Sequence, residues 1–454
     1  MMARGALFSA LIALFLLNAC AVAKSASGSR VLVLLDKLDD RADYSAFFSS
    51  LSERGFDVYF KEASDVSAKL VDFGERLYDH AILFSQKSSG VLSATKLVEF
   101  VKLEGNVLAA VGRNPPDNVR DFAYEFNVGV DETDTAVIDH FNFNSTEGAQ
   151  SSHTTILANA FAPSAAVYSQ STLSGGAVLY DGVALKFGKN PLLLKLLVGS
   201  ATTYTWGARE SSDVTEQPYV SGSELILAGA AQTRSNARVT FVGSQKLFSD
   251  RHICNDTSLN QTTSRFKLHV LENIIVVDSK SGNAAFAADI SKWTFQERGV
   301  LKISAVQHHK EDESFQRDSY RVKDHIVYQL DISEYRDGKW RPFVAPDVQV
   351  EAVMIDPYIR ATLQPSSSAK PSSATATTYV TKFQLPDQYG VFTFKVDYRR
   401  PGYSWIFTKE TLPVQQFRHN DYERFLVVAS PYYAAALSTA TASFLFMIAV
   451  MYSS

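Results

Sequence analysis

Arg30-Val31-Leu32-Val33-Leu34-Leu35-Asp36 is the stretch whose reading decides the fold. It is short, apolar on both faces and ends in an acid, which marks a strand buried inside a parallel sheet rather than one with a wet face. The spacing of Tyr44, Phe47, Phe48 and Leu51 predicts a helix over Tyr44 to Arg54, with Gly55 at the position of a C-cap glycine. Phe56 to Phe60, Ala81 to Phe84 and Asn106 to Gly112 read as further strands, with a helix over Leu92 to Leu103. Strands alternating with helices at this spacing imply βαβ units and a doubly wound sheet. Between Glu132 and Pro218 the periodicity blurs. Leu225 to Gly229 and Ala237 to Gly243 resume the buried-strand pattern, and Phe266 to Val277 reads as a closing helix.

From Trp293 onward the pattern changes to strands alone. Val300 to Val306, His325 to Ile332, Val348 to Ile355, Thr378 to Leu385 and Gly390 to Tyr398 are separated by turn residues, which predicts an antiparallel β-sandwich. Gln364 to Thr377 is a low-complexity Ser/Ala/Thr/Pro loop.

Both ends of the chain are apolar. Arg4 precedes an uncharged run from Gly5 to Leu17 and then small residues around Ala19 to Ala23, the pattern of a cleaved secretory signal. Phe425 to Ser454 holds no Asp, Glu, Lys, Arg or His, enough chain for a helical span, which needs about 20 apolar residues. The expected organisation is a signal peptide (1–23), an α/β domain (29–280), a β-sandwich (292–418) and a transmembrane helix (425–451), single-pass, with the bulk of the chain outside the cytosol. The alternative for this apolar tail is a GPI-attachment signal, Ala434 to Ser443 followed by Phe444 to Met451.

Composition excludes some functions. Hydrophobic residues make up 46% and charged residues 20%, with a net charge of −4 and no basic stripe, so nothing favours nucleic acid. Removal of the signal takes Cys20 away and leaves Cys254 without an intramolecular partner. Three glycosylation sequons occur, at Asn144, Asn255 and Asn260.

Two places are candidates for a ligand crevice, because ligands gather at the carboxyl ends of strands in open α/β sheets. Asp36, Asp39, Asp40 and Asp43 follow the first strand and suit a cation or sugar hydroxyls; equally they form a solvated loop with Asp43 as a helix N-cap. Arg113, in Gly112-Arg113-Asn114-Pro115-Pro116, follows the fourth strand and is either a crevice residue or part of a plain turn. The chain has no G-x-G-x-x-G, no P-loop and no G-x-S-x-G elbow, so nucleotide cradles and hydrolase nucleophiles are not expected. His308-His309 on one strand would face opposite ways, which argues against a shared metal. No cofactor or metal is expected.

Taken together, Arg54-Gly55-Phe56, Leu77-Tyr78-Asp79, Thr135 to His140, Asn236-Ala237-Arg238-Val239, Phe248-Ser249-Asp250, Glu297 to Leu301 with His308-His309, Leu385 to Phe392 with Lys395 to Tyr398, and Tyr422 to Phe425 with Pro431-Tyr432-Tyr433 carry a resemblance. From Arg30 to about Tyr433 the chain resembles the 48 kDa subunit family of the eukaryotic oligosaccharyltransferase. The resemblance implies a class I glutamine-amidotransferase-like N-terminal domain. It implies a non-catalytic subunit of the endoplasmic-reticulum complex that moves a lipid-linked oligosaccharide onto Asn-x-Ser/Thr, beside the catalytic subunit, ribophorin I, ribophorin II and small membrane subunits. An active amidotransferase relative would carry a cysteine at a strand-to-helix elbow. The strand ending at Gly112 has none nearby, so the implied role is scaffolding or glycan contact through Asp36, Asp39, Asp40 and Arg113. A luminal amidotransferase-like enzyme and a GPI-anchored glycoprotein are the competing readings. Family members commonly carry a lysine-bearing cytosolic tail, whereas this sequence ends at Tyr452-Ser453-Ser454, so retention is expected to come from the complex.

Overall fold

Both faces of the Arg30–Leu35 strand (β1) are covered, which is why its sequence lacks alternation. Val31, Val33 and Leu35 pack under Phe47, Phe48 and Leu51 of helix α1 (Ser45–Glu53). Leu32 and Leu34 belong to the opposite core, with Leu97, Phe100 and Val101 of α2 (Ala94–Lys102) and Val119 and Phe122 of α3 (Asp117–Glu125). Around β1 lie β2 (Asp57–Glu62), β3 (His80–Phe84) and β4 (Asn106–Ala110), all parallel, in the order β2-β1-β3-β4. The computed structural model describes residues 25–65, 67–86, 93–144, 153–164, 166–207, 218–253, 281–366, 374–422 and 424–453. The signal-peptide reading, Cys20, Cys254, Asn255, Asn260, the Phe266 to Val277 helix and the middle half of the low-complexity loop fall outside these residues.

The sheet is mixed rather than parallel throughout. Strands β5 (Leu193–Val198), β6 (Ile226–Gln232) and β7 (Arg238–Val242) extend it, β7 parallel to β4 but β6 antiparallel to both β7 and β5. The reason is the Thr233–Ala237 turn, closed by Thr233 N–H donating to Ala237 O at 2.9 Å. Five residues make a hairpin and cannot carry a crossover helix.

Helix α1 also departs from its expected start. A 3-10 helix occupies Leu38–Tyr44, and Asp43 caps nothing. The cap comes from Asp250, 205 residues away: its carboxylate accepts Ser45 N–H at 3.0 Å, Ala46 N–H at 2.9 Å and Ser45 Oγ at 2.6 Å. Replacing Asp250 with Ala should cost about 1–2 kcal/mol, the usual worth of an N-cap, measured by urea unfolding of the full chain in detergent.

The sandwich is two five-stranded sheets around one core, among the described residues. One contains β8 (Val300–Lys310), β9 (His325–Arg336) and β12 (Thr377–Gln384); the other contains β10 (Gln349–Val353), β11 (Pro357–Thr362), β13 (Gly390–Tyr398) and β14 (Ile406–Gln415). The pairing is antiparallel except for the short strand Tyr320–Arg321, which runs parallel to β14. Last comes α5 (Ser430–Ser453), with no buried residue.

A fully buried joint ties the two parts together, built on α4 (Asn283–Thr294). Arg238 donates to Trp293 O (2.7 Å), Arg298 O (2.6 Å) and Gly299 O (2.7 Å), with its guanidinium carbon 4.6 Å from the Trp293 ring centre. Burial pushes the Arg238 pKa down to about 9, so it stays cationic at neutral pH. Trp293 Nε1 donates to Gly402 O at 2.8 Å in the sandwich. Arg54 pairs with Glu297 at 2.6 Å and Arg298 with Asp289 at 2.9 Å, all four nearly solvent-free.

At the same edge, His80 is fully buried and neutral. Its Nε2 faces Gly28 O at 3.1 Å and its Nδ1 faces Asn106 Nδ2 at 3.2 Å, so Nε2 carries the proton and Nδ1 accepts. A second proton on Nδ1 would set donor against donor. Burial accordingly pushes the pKa down to about 4. The unfolded chain takes up this proton near pH 6.5, the folded chain only near 4. Stability is therefore full above pH 6.5 and falls as the pH drops from 6.5 to 4, by roughly 3 kcal/mol. Urea midpoints of the full chain between pH 7 and pH 4.5 should show this slope, and His80→Asn should reduce it, with a remainder from His308, whose pKa burial likewise pushes down to about 4.

Candidate functional site

The order β2-β1-β3-β4 reverses direction between β1 and β3, so the carboxyl ends of the strands there are where a ligand crevice is expected in such a sheet. Asp36 leaves β1 at this point. Its carboxylate accepts Ser85 Oγ at 2.6 Å and the Gln86 N–H at 3.0 Å, joining the ends of β1 and β3. Gln86 Nε2 donates to Gln245 Oε1 at 3.0 Å, and Gln245 Nε2 donates to Phe84 O at 2.6 Å. Gly112 leaves room for this amide: an added Cβ there would lie 2.5 Å from Gln86 Nε2 and push that side chain from its place.

Arg113, one residue on, turns to Asp181. Its Nη2 and Nε donate to Asp181 Oδ1 at 2.8 and 3.1 Å, while Lys246 Nζ reaches Asp181 Oδ2 at 2.5 Å. The Asp181 carboxylate is nearly buried, whereas the Arg113 and Lys246 side chains are about half exposed. One buried acid thus holds two cations at the rim, each with donor capacity left for a ligand.

The structure therefore places Asp36 and Arg113 on the strand ends that line the crevice and sends the other two acids elsewhere. Asp40 turns back to accept the Lys37 N–H at 3.2 Å. Asp39 lines an open groove of about 650 Å³ with Leu38, Arg41, Phe48 and Phe60, between the 3-10 helix, α1 and β2. Asn144 sits next to the Phe143–Ile156 bridge, its N–H donating to Thr155 O at 2.9 Å.

Sequence reasoning missed Gln86, Asp181, Gln245 and Lys246. The rule that singled out Asp36 would have found three of them. Gln86 follows β3, Gln245-Lys246 follow β7, and Asp181 ends the buried run Val178–Tyr180. Chemically the crevice offers carboxylate acceptors and guanidinium and ammonium donors, a set suited to a hydroxyl-rich ligand. The serines here are committed: Ser85 Oγ to Asp36, and Ser244 Oγ to the Asp181 carbonyl at 2.7 Å. Among the described residues no three His, Cys, Asp or Glu side chains converge as metal ligands. His308 is buried, with Nδ1 2.7 Å from Tyr320 OH and Nε2 2.9 Å from Glu410, while His309 points out.

Fold and site define a class: an α/β domain with a polar cluster at its strand ends, locked to a β-sandwich and followed by one apolar C-terminal helix that the described residues leave unburied. Residues 22–297 match the family model described as the OST48 N-terminal domain, and residues 308–454 match the OST48 middle domain. The chain is 37% identical over 431 residues to the dolichyl-diphosphooligosaccharide–protein glycosyltransferase 48 kDa subunit of Drosophila melanogaster, covering 92% of this chain and 90% of that protein. It is 35% identical to the proteins of the same name from Danio rerio (97% of this chain, 96% of that one) and Arabidopsis thaliana (98% of each). The chain belongs to the OST48 family.

Proposed function

We propose that this chain is a non-catalytic subunit of the oligosaccharyltransferase complex, supporting transfer of a lipid-linked oligosaccharide to Asn-x-Ser/Thr of nascent proteins. The observation that carries this reading is the end-to-end likeness to relatives named as the 48 kDa subunit of that glycosyltransferase. In this reading the apolar helix crosses the endoplasmic-reticulum membrane once and leaves both folded parts in the lumen. The helix suits that place, because 27 residues from Val427 to Ser453 are apolar enough to span and none of them is buried by the rest of the chain. Its exposed faces take the partner subunits, among them the catalytic chain, ribophorin I, ribophorin II and small membrane subunits. The N-terminal domain, of the glutamine-amidotransferase-like type, acts as scaffold. Support for a non-catalytic role comes from the elbow after β4, Val111 to Pro116, which holds no cysteine.

The crevice is the donor-glycan contact, through Asp36 and Arg113, with Asp39 and Asp40 on the turn that leaves β1. Support comes from its position at the switch point and from the paired rim cations over Asp181. Cells in which the chain is depleted should underoccupy sequons of a secreted reporter, and re-expression of the wild-type chain should restore them. Restoration by Arg113→Gln should be incomplete although the complex assembles. Full occupancy after depletion would overturn the functional reading, and full rescue by Arg113→Gln would overturn the glycan contact alone.

A further inference from the structure

We propose that the end of the β-sandwich from which the apolar helix departs is a lipid-contacting surface, with Ile355, Tyr389 and Val391 seated in the headgroup layer of the bilayer. This rests on the reading of the helix as a membrane span.

The register fixes which residues share that end. Strand β14 finishes at Gln415, and its neighbour Val414 pairs with Gly390, so the Gln388–Gly390 turn lies where the chain leaves the sandwich. Val353 of β10 pairs with Thr393 of β13, which brings the Met354–Asp356 turn to the same level. The two turns touch: a Cβ on Gly390 would lie 2.6 Å from the Met354 sulfur. From them Ile355, Tyr389 and Val391 project with 93%, 60% and 58% of their surface in solvent. The opposite end is covered by the α/β domain, where Trp405 N–H donates to Asn236 Oδ1 at 2.6 Å and Asn236 Nδ2 donates to Trp405 O at 3.0 Å.

The tether is short. Arg321, level with Gln415, forms an ion pair with Asp421, whose carboxylate also accepts the Arg418 N–H at 3.0 Å. Eight residues lie between Asp421 and Ser430, the first residue of α5, a reach of at most about 32 Å for a fully extended chain. The segment contains a 3-10 turn at Val427–Ala429, so its real reach is shorter. On the way Tyr422, Phe425 and Leu426 are all exposed, and the Phe425 ring lies 5.0 Å from that of Tyr433 in α5. Aromatic residues gather at headgroup depth beside a span, where ring and hydroxyl meet apolar and wet surroundings at once.

The occupant is lipid because the surface continues the span and consists of single side chains on turn tips, not the broad patch of a protein interface. Two charge pairs at this end close within the chain, Lys323 with Asp387 at 3.0 Å and Arg321 with Asp421, while Asp356 shares the turn with Ile355 and is exposed. The contact also gives the Leu385 to Phe392 stretch a role that the crevice does not supply.

The test places single tryptophans in the full chain reconstituted in phosphatidylcholine vesicles and compares emission with and without dibrominated acyl chains. Ile355→Trp and Tyr389→Trp should each add emission that the brominated lipid quenches. Phe407→Trp, exposed at the far end of the same sheet, should add emission that is not quenched. Quenching of Leu437→Trp, in α5, reports the span itself. Unquenched tryptophans at 355 and 389 beside a quenched one at 437 would overturn the lipid-contact proposal and leave the span standing. An unquenched tryptophan at 437 would overturn both.

Discussion

Trp293→Ala should lower the unfolding free energy by about 3–5 kcal/mol, the cost of truncating a buried tryptophan in a core that closes only partly around the gap. The effect reaches beyond the cavity. Alanine keeps the backbone carbonyl that Arg238 grips at 2.7 Å but removes the ring under Arg238 and the indole N–H that holds Gly402 O at 2.8 Å. Arg238→Leu should cost about 1–3 kcal/mol by a different route, the usual penalty for a buried acceptor left unpaired. Three buried carbonyl oxygens lose the guanidinium; Trp293 O keeps the Gln296 N–H at 3.1 Å and Gly299 O keeps the Ser404 N–H at 2.8 Å, which leaves Arg298 O as the acceptor stripped of its donor. The two residues touch, so the double variant should cost less than the sum of the single ones. Far-UV circular dichroism during urea titration of the full chain measures all three. Single costs below about 1 kcal/mol would mean that the joint is not what holds the two parts together.

Ala440→Arg combined with Phe444→Arg should release the chain from the membrane. The two positions are one helical turn apart near the middle of Val427–Ser453, and each arginine at a span centre costs about 2.5–3.5 kcal/mol on insertion scales. Alkaline carbonate extraction should shift the protein from pellet to supernatant, and the variant should lose its companions on purification. A double variant that stays in the pellet would show that something other than this helix holds the chain to the membrane.

The parallel heart of the α/β domain was legible because burial on both faces leaves unbroken apolar runs, as at Val31 to Leu35 and Ile82 to Phe84. The five expected sandwich strands were legible from alternation, since Val391 to Tyr398 shows one face to water. Helix α4 was hidden for the opposite reason. It is buried nearly all round, from Phe286 to Trp293, and its polar residues Asp289 and Ser291 point into the joint, so no solvent stripe marks a helical period. The strands between Val128 and Gly207 are mostly two to four residues long, too short to build a pattern. The Asp250 cap and the Arg113–Asp181–Lys246 cluster join residues 65 to 205 positions apart, which local reading does not pair.

The same geometry explains why stretches without a catalytic motif carried so specific a resemblance. Arg54, Arg238, Glu297 and Arg298 sit in the joint, and Asp250 caps α1 across the fold. What these stretches specify is how the two folded parts are held in register.

The most direct measurement is purification of the tagged full-length protein from its own cells in mild detergent, followed by mass spectrometry of everything recovered. The account expects the catalytic oligosaccharyltransferase subunit to accompany a chain whose 425–451 segment is intact. Recovery of this chain alone, or of a form lacking that segment, would contradict it.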